Sequence, residues 1–544
     1  MNLLSILHSR SKVFYLFLII LGLISSVTNM GILVLISMTL GGEPLPLVGE
    51  YKAVAFILLL VLSFLATRFF QNYVVSLTNN ILFDLELSIV QKVRNANYES
   101  FEKLGVNKIY AAISDARILS RVPEIFVTLI NSFITLVCSL GYLFWISPAG
   151  GATVLVVMVN LLLIYLARNE KISKDLNEVR DLQNTYYRSL QELLFGFKQV
   201  RISSYRSNKL YNKHILANRD KAKGLSIGAS RSYVVNQLIG VYSWYILFGV
   251  IMFLLPVILN LQVMEIAVFI TAVLFMMSPL SQLISFFPFQ TSCRIALQRI
   301  DGIYKELEVN APKNGDDARF SKDFSTIRFE NVTYVYTDSK SSFTLESLSV
   351  EINKGEVIFI VGGNGSGKST FINLLTGLCV PESGKVFIDE QEVPWNEYVA
   401  FSNSMSVIYT NHHMFKENYD PYELSEDNER LLEYKHMLNL DGVLKINEEQ
   451  NRVNTDLSKG QQKRVALLLG LMEDKPLVVL DEWAAEQDPK NRKHFYTKWL
   501  NEIRSMGKTI IAVSHDDDYY HVADRVIKFN YGKIVEDTAP VQTV

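Results

Sequence analysis

Five windows of this chain carry almost no charge, and soluble helices of such length keep a polar face that these windows lack. Val13 to Gly42 has no Asp, Glu, Lys or Arg, and Ala53 to Phe83 has Arg68 alone. Ile125 to Ala167 runs 43 residues without a charge, and Ser232–Met264 and Ile266–Cys293 have none either. A spanning helix takes roughly 20 apolar residues. The 43-residue window therefore holds two, with Ser147-Pro148-Ala149-Gly150-Gly151 as the turn between them. Six spans are predicted, at about 13–40, 53–80, 125–146, 149–167, 232–261 and 266–290. The first window is 30 residues long. The apolar region of a cleaved leader has about 7–15, so this window is expected to stay as a span.

The loops orient the spans. Arg10 and Lys12 precede the first window, residues 84–124 carry six Lys and Arg, and residues 168–231 carry fourteen. The three intervening short loops hold only Lys52. Cytoplasmic loops collect positive charge, so both termini and both long loops are expected in the cytoplasm and the lipid bilayer is the first partner. A net charge of −2 gives no basic balance toward nucleic acid. Three distant cysteines, Cys138, Cys293 and Cys379, predict neither a disulfide framework nor a metal site.

Leu176, Val179, Leu182, Tyr186, Leu190 and Leu193 recur at helical spacing, so the spans are expected to continue as long cytoplasmic helices. Residues 311–323, with Pro312 and Gly315, read as a linker between a membrane domain (1–310) and a second domain (324–544). Polar residues share helical faces at Asn131, Thr135, Cys138 and Ser139, and at Ser278, Ser281, Gln282 and Ser285. Such faces suit a wet pathway or close helix packing equally. Arg68 suits an anionic substrate or an interfacial anchor.

The second domain alternates β-rich runs with helical patterns, which predicts an α/β fold. Gly362-Gly363-Asn364-Gly365-Ser366-Gly367-Lys368-Ser369-Thr370 follows a strand and opens a helix, the context of a phosphate-binding loop. Its backbone N–H groups are suited to cradle phosphates. Lys368 is placed to reach the β and γ phosphates, and Ser369 to ligate Mg²⁺. Leu477-Val478-Val479-Leu480-Asp481-Glu482 is an apolar strand ending in two acids. Asp481 is the second candidate metal ligand, and Glu482 the candidate general base for an attacking water.

Leu457-Ser458-Lys459-Gly460-Gln461-Gln462 resembles the signature of ATP-binding-cassette (ABC) proteins, with Lys459 where that family usually has Gly. The resemblance implies further roles. Tyr336, 26 residues before Gly362, falls where the family stacks an aromatic on adenine. Asp488 falls at the D-loop and His515 at the switch histidine that contacts the γ phosphate. Ser458, Gly460 and Gln461 would close the ATP of a second chain from a helix N-terminus. The chain has one such domain, so a homodimer is expected, with ATP and Mg²⁺ at two shared sites. The implied fold is a type I exporter-like helical membrane domain fused to an α/β P-loop ATPase. Loop residues near Val106–Ser114 and Ser204–Ser207 would be the coupling helices.

A narrower resemblance rests on residues 457–469, Asp481-Glu482-Trp483-Ala484-Ala485-Glu486-Gln487-Asp488-Pro489 and Ser514-His515-Asp516-Asp517. It is to the cyclic-peptide and siderophore exporters, including microcin and pyoverdine exporters of Gram-negative bacteria. Trp483 stands where ABC domains usually have Pro, and Thr410 where they have the Q-loop Gln. The Thr410 hydroxyl is shorter than a Gln side chain, so a modest part in hydrolysis is expected. His412-His413 reads as loop surface rather than a metal site. The implied function is ATP-driven export of a peptide-derived product across a bacterial inner membrane. The alternatives are lipid or drug export, siderophore import on an exporter-like fold, and a nucleotide-gated regulator that transports nothing.

Overall fold

The structure, a computed structural model, describes residues 12–40, 51–308, 324–338, 341–449, 451–454 and 456–539. The expected linker at 311–323 lies outside the described residues. The chain divides into two compact units, Met1–Glu86 with Ala112–Asp301, and Leu87–Ala111 with Gly302–Val544.

Among the described residues, the longer helices of the N-terminal part, with the short Tyr98–Leu104, are α1 Lys12–Leu40, α2 Lys52–Arg94, α3 Tyr98–Leu104, α4 Val106–Ser120, α5 Val122–Ile146, α6 Pro148–Phe195, α7 Ala217–Gly249 and α8 Val263–Glu308. At 1.5 Å per residue, the 48 residues of α6 reach about 72 Å, well beyond a hydrocarbon core of about 30 Å. The heptad-like pattern past residue 168 is therefore helix, as expected. The turn expected at 147–151 is the α6 N-terminus: Ser147 caps it by accepting from Gly150 N–H, and Pro148 takes the first helical position.

Among the described residues, four helical stretches are long and apolar enough to cross a membrane: Lys52–Arg94, Val106–Ile146, Ser204–Leu259 and Glu265–Leu307. Two shorter apolar stretches, Gly22–Ser37 in α1 and Pro148–Ile164 in α6, fall at the other two windows. Part of the polar faces is spent on packing. Ser132 on α5 donates to Gln282 on α8 at 2.5 Å, and Thr135 turns back onto the Asn131 carbonyl. Ser278 and Ser281, with Tyr233, Gln237 and Trp244, instead line a cavity of about 520 Å³ between helices. Arg68 sits on an exposed face of α2.

Among the described residues, the second unit contains twelve strands. A four-stranded antiparallel sheet in the order β2-β1-β4-β5 is made by β1 Thr326–Asp338, β2 Ser341–Asn353, β4 Ser383–Ile388 and β5 Gln391–Val393. A six-stranded sheet runs β12-β11-β3-β10-β9-β6, from β3 Val357–Gly362, β6 Met405–Ile408, β9 Leu477–Asp481, β10 Thr509–Val513, β11 Arg525–Asn530 and β12 Lys533–Thr538. A small hairpin joins β7 Ile446–Asn447 to β8 Arg452–Val453. All pairs of the six-stranded sheet are parallel except β11 with β12. Side chains alternate across the central strands. Val357, Phe359, Val478, Leu480, Ile510 and Ala512 enter one core, while Ile358, Ile360, Leu477, Val479, Ile511 and Val513 enter the other. Burial on both faces explains their near-continuous apolar runs.

Candidate nucleotide site

Strands β3, β10 and β9 are neighbours and parallel, so their C-terminal ends open at one edge, where ligands of open α/β sheets bind. The loop Gly362–Gly367 leaves β3 there and enters helix α9, Lys368–Leu375. Gly362 has φ +148°, and a Cβ on it would lie 2.3 Å from the Phe529 carbonyl oxygen. Gly367, at φ +110°, is the residue that turns the chain into α9. Asp481 and Glu482 end β9, and Ser514-His515 follows β10.

The loop wraps a cavity of about 450 Å³, lined by Tyr336, Asn364 to Thr370 and Glu482. The Lys368 ammonium is buried and donates to the carbonyls of Gly362 at 2.9 Å and Gly363 at 3.0 Å. Burial lowers its pKa, opposed by Glu482 and Asp481. The Ser366 hydroxyl and Asp481 Oδ1 are buried without a hydrogen-bond partner. Buried orphans of this kind call for a ligand, and hard oxygen donors suit Mg²⁺ with phosphate. The residues present fit that pair.

Glu482 is bent into the left-handed region, φ 48° and ψ 38°, and its Oε1 lies 3.2 Å from His515 Nε2. Such a backbone costs about 1–3 kcal/mol and persists only where its surroundings over-determine it. Both expected catalytic residues therefore meet at the cavity edge. Thr410 meets Asp481. Its hydroxyl donates to Asp481 Oδ2 at 2.7 Å, and its N–H approaches the same oxygen at 3.4 Å.

Helix α10, Glu429–Met437, precedes the signature helix α11, Lys459–Met472. Ser458 caps α11 in a reciprocal box with Gln461: Ser458 Oγ accepts from Gln461 N–H, and Gln461 Oε1 accepts from Ser458 N–H. Gly460 is required by contact, because a Cβ would lie 2.8 Å from the Glu486 carbonyl oxygen. These residues stand outside the cavity lined by this chain's own loop. Asp488 caps helix α12, Pro489–His494, and hydrogen bonds from Asn491 hold its pKa below the usual carboxylate value. His412 is half-buried, and burial lowers its pKa; among the described residues no His, Cys, Asp and Glu cluster suits a metal.

The sequence reading missed α3. Asn97 caps this short helix and Gly105 ends it at φ +74°. Tyr98, Glu99 and Glu102 line the nucleotide cavity with Tyr334 and Cys379. Glu99 accepts from Val380 N–H at 3.4 Å. Residues of 98–104 thus meet the ATPase domain. An Asn cap and a Gly stop with seven residues between them was the readable signal. Cys379 is buried, which raises its thiol pKa to about 11 and keeps it inert.

Tyr336 is 38% exposed at the cavity, whereas Tyr334 is 3% exposed, so Tyr336 is the more accessible ring. Tyr336→Ala is expected to weaken ATP binding by about 1–3 kcal/mol, the scale of base–aromatic stacking, and Tyr336→Trp to preserve it. Equal affinity for wild type and the Ala variant, measured by nucleotide titration, would place adenine elsewhere.

The family model described as ABC transporter matches residues 345–485. The chain is 26% identical over 540 residues to the ATP-binding protein SyrD of Pseudomonas syringae pv. syringae, covering 96% of this chain and 94% of that protein. It is 23% identical over 494 residues to the ATP-dependent lipid A-core flippase of Burkholderia orbicola (strain AU 1054), covering 87% and 80% respectively. A bacterial Atm1-family ABC exporter solved with ATP bound superposes with a TM-score of 0.69 at 16% identity, covering 97% of this chain and 94% of that one. The fold is that of such an exporter, a helical membrane domain joined to an ABC ATPase domain.

Proposed function

We propose that this chain, an ABC transporter whose ATP hydrolysis is coupled to transport, exports a peptide-derived product such as a cyclic peptide or peptide siderophore. The working unit is a homodimer of six-span protomers in a bacterial inner membrane, with both termini cytoplasmic. The membrane domain is 1–310 and the ATPase domain 324–544. The observation that carries the nucleotide chemistry is the cavity lined by Lys368 and Glu482, with His515 Nε2 3.2 Å from Glu482 Oε1. The cargo class rests on the resemblance of residues 457–469 and 481–489 to the peptide and siderophore branch. Trp483 in that stretch is 1% exposed, so its replacement of Pro is built into the core.

In this reading, Asn364 to Thr370 hold the phosphates through backbone N–H groups, and Lys368 leaves its loop carbonyls for the β and γ oxygens. Ser369 and Asp481 would hold Mg²⁺, which supplies charge neutralisation on the phosphate oxygens. Glu482 takes the proton of the attacking water, and His515, 3.2 Å from Glu482, contacts the γ phosphate. Ser458, Gly460 and Gln461 cap the partner chain's nucleotide from the start of α11. A catalytic pair of this kind supports turnover over mere gating.

A lipid cargo is the second reading, favoured by the match to proteins named lipid A-core flippases. The full-length chain in nanodiscs separates the two. ATPase stimulation by a desferri peptide siderophore or a cyclic peptide supports the first, and stimulation by lipid A alone the second. The orientation is tested by fusing a reporter active only in the periplasm to the C-terminus. It is expected to be silent, and activity would overturn the six-span arrangement.

A further inference from the structure

Two anchors of the strained backbone around Glu482 lead to the signature helix. Lys463 lies on α11, about one turn past its start, and is 4% exposed. Its ammonium donates to the Glu482 carbonyl at 3.0 Å. In the opposite direction, the Trp483 indole N–H donates to the Lys463 carbonyl at 2.8 Å. Trp483 is itself wedged between aromatic rings, 4.6 Å from Phe495 and 5.9 Å from Trp499, centroid to centroid. A Pro or Phe in its place has no side-chain donor for the helix.

A charged lysine is costly to bury without partners. Asp481, Glu482 and Glu486 surround this one and oppose the lowering of its pKa by burial. The lysine therefore serves as a hydrogen-bond donor at a place where an apolar side chain would pack more cheaply. Its acceptor is the carbonyl that sets the peptide plane after the base. Together with the Trp483 bond, it over-determines the left-handed turn that points the Glu482 carboxylate at the nucleotide cavity.

We propose that Lys463 and Trp483 are positioning residues that staple Glu482 to the signature helix of its own chain. The inference rests on the reading of Glu482 as the general base. It has a consequence in the dimer. One rigid helix presents Ser458 at its N-terminus to the partner's ATP and, through Lys463, supports the base acting on its own chain's ATP. Engagement of one site thereby bears on the geometry of the other.

The test uses the full-length chain in nanodiscs with Mg²⁺ and ATP. Lys463→Met and Trp483→Phe each remove one bond while keeping bulk and apolar packing. Misplacement of a reacting group by about 1 Å costs on the order of 10²-fold. The expected result is a kcat lower by about 10- to 100-fold, with KM, ATP affinity and melting temperature unchanged and most of kcat restored in Lys463→Arg. In a Glu482→Gln background, neither variant should lower residual single-turnover hydrolysis further, since residues acting through one group are not additive. Unchanged kcat in both single variants overturns the inference. So does a loss that appears in ATP affinity or melting temperature, or a further loss on top of Glu482→Gln. Full ATPase activity in Glu482→Gln alone would remove the base reading itself, a result distinct from the others.

Discussion

In Glu482→Gln, ATP turnover is expected to fall by roughly 10²–10⁴-fold, the usual worth of general-base catalysis. Gln keeps the size of the side chain and its hydrogen bond toward His515, 3.2 Å away in the native protein, but has no basicity for the water's proton. Binding should survive, because the loop Gly362–Thr370 and the start of α11 are untouched. The variant should accumulate as a closed dimer holding two nucleotides. With Cys138, Cys293 and Cys379 replaced, single cysteines at Asn364 of one chain and Lys459 of the other should crosslink in ATP and far less without it. Both positions are exposed in the single chain. Normal turnover would remove Glu482 from the chemistry. Lost turnover without an ATP-dependent crosslink would point to a different partner chain.

The second large effect is expected at Thr410. Its hydroxyl accounts for the 2.7 Å contact to Asp481 Oδ2, while Oδ1 is buried and unpartnered. Partners that orient a metal-binding carboxylate are typically worth 10- to 100-fold, on the order of that range, in metal affinity or activity. Thr410→Val keeps shape and volume and removes the bond. The half-saturating Mg²⁺ concentration for ATPase should rise by about 10- to 100-fold, with kcat at saturating Mg²⁺ reduced only modestly. Thr410→Ser should restore the native value. An unchanged Mg²⁺ dependence would mean that the hydroxyl leaves Asp481 when nucleotide binds. A loss of kcat as deep as in Lys368→Ala would place Thr410 in contact with the reacting centre.

The modest role expected of Thr410 came from comparing side-chain lengths: a hydroxyl cannot reach where a Gln amide reaches. That comparison holds, but the hydroxyl has a nearer target. Strand β6 pairs in parallel with β9, with Ile408 opposite Leu480, so the residue two past Ile408 emerges beside Asp481. Strand order put the two together, and no local pattern announces which strands become neighbours. The same holds for Tyr98 and Glu99, which reach the nucleotide cavity from more than 200 residues upstream of Lys368. Lys463 reads as one more basic residue of a helix until the turn after β9 brings the Glu482 carbonyl over it.

The phosphate loop, the apolar windows and the strand ending in Asp481-Glu482 were legible for a common reason. A loop that cradles phosphate uses consecutive backbone N–H groups, so its glycines are consecutive in the chain as well. A segment crossing lipid must satisfy its backbone within itself and be apolar along its own length. A strand buried on both faces must be apolar throughout. These are constraints within one segment, and a sequence records them in place. What only the tertiary structure decided are the contacts between segments: Thr410 on Asp481, Lys463 on Glu482, and α3 against the nucleotide cavity. Each couples residues that are far apart in the chain or on different elements, and the Thr410 contact exists because parallel strands β6 and β9 place their C-terminal ends side by side. The order of those strands is set by the global packing of two cores, which no single segment carries.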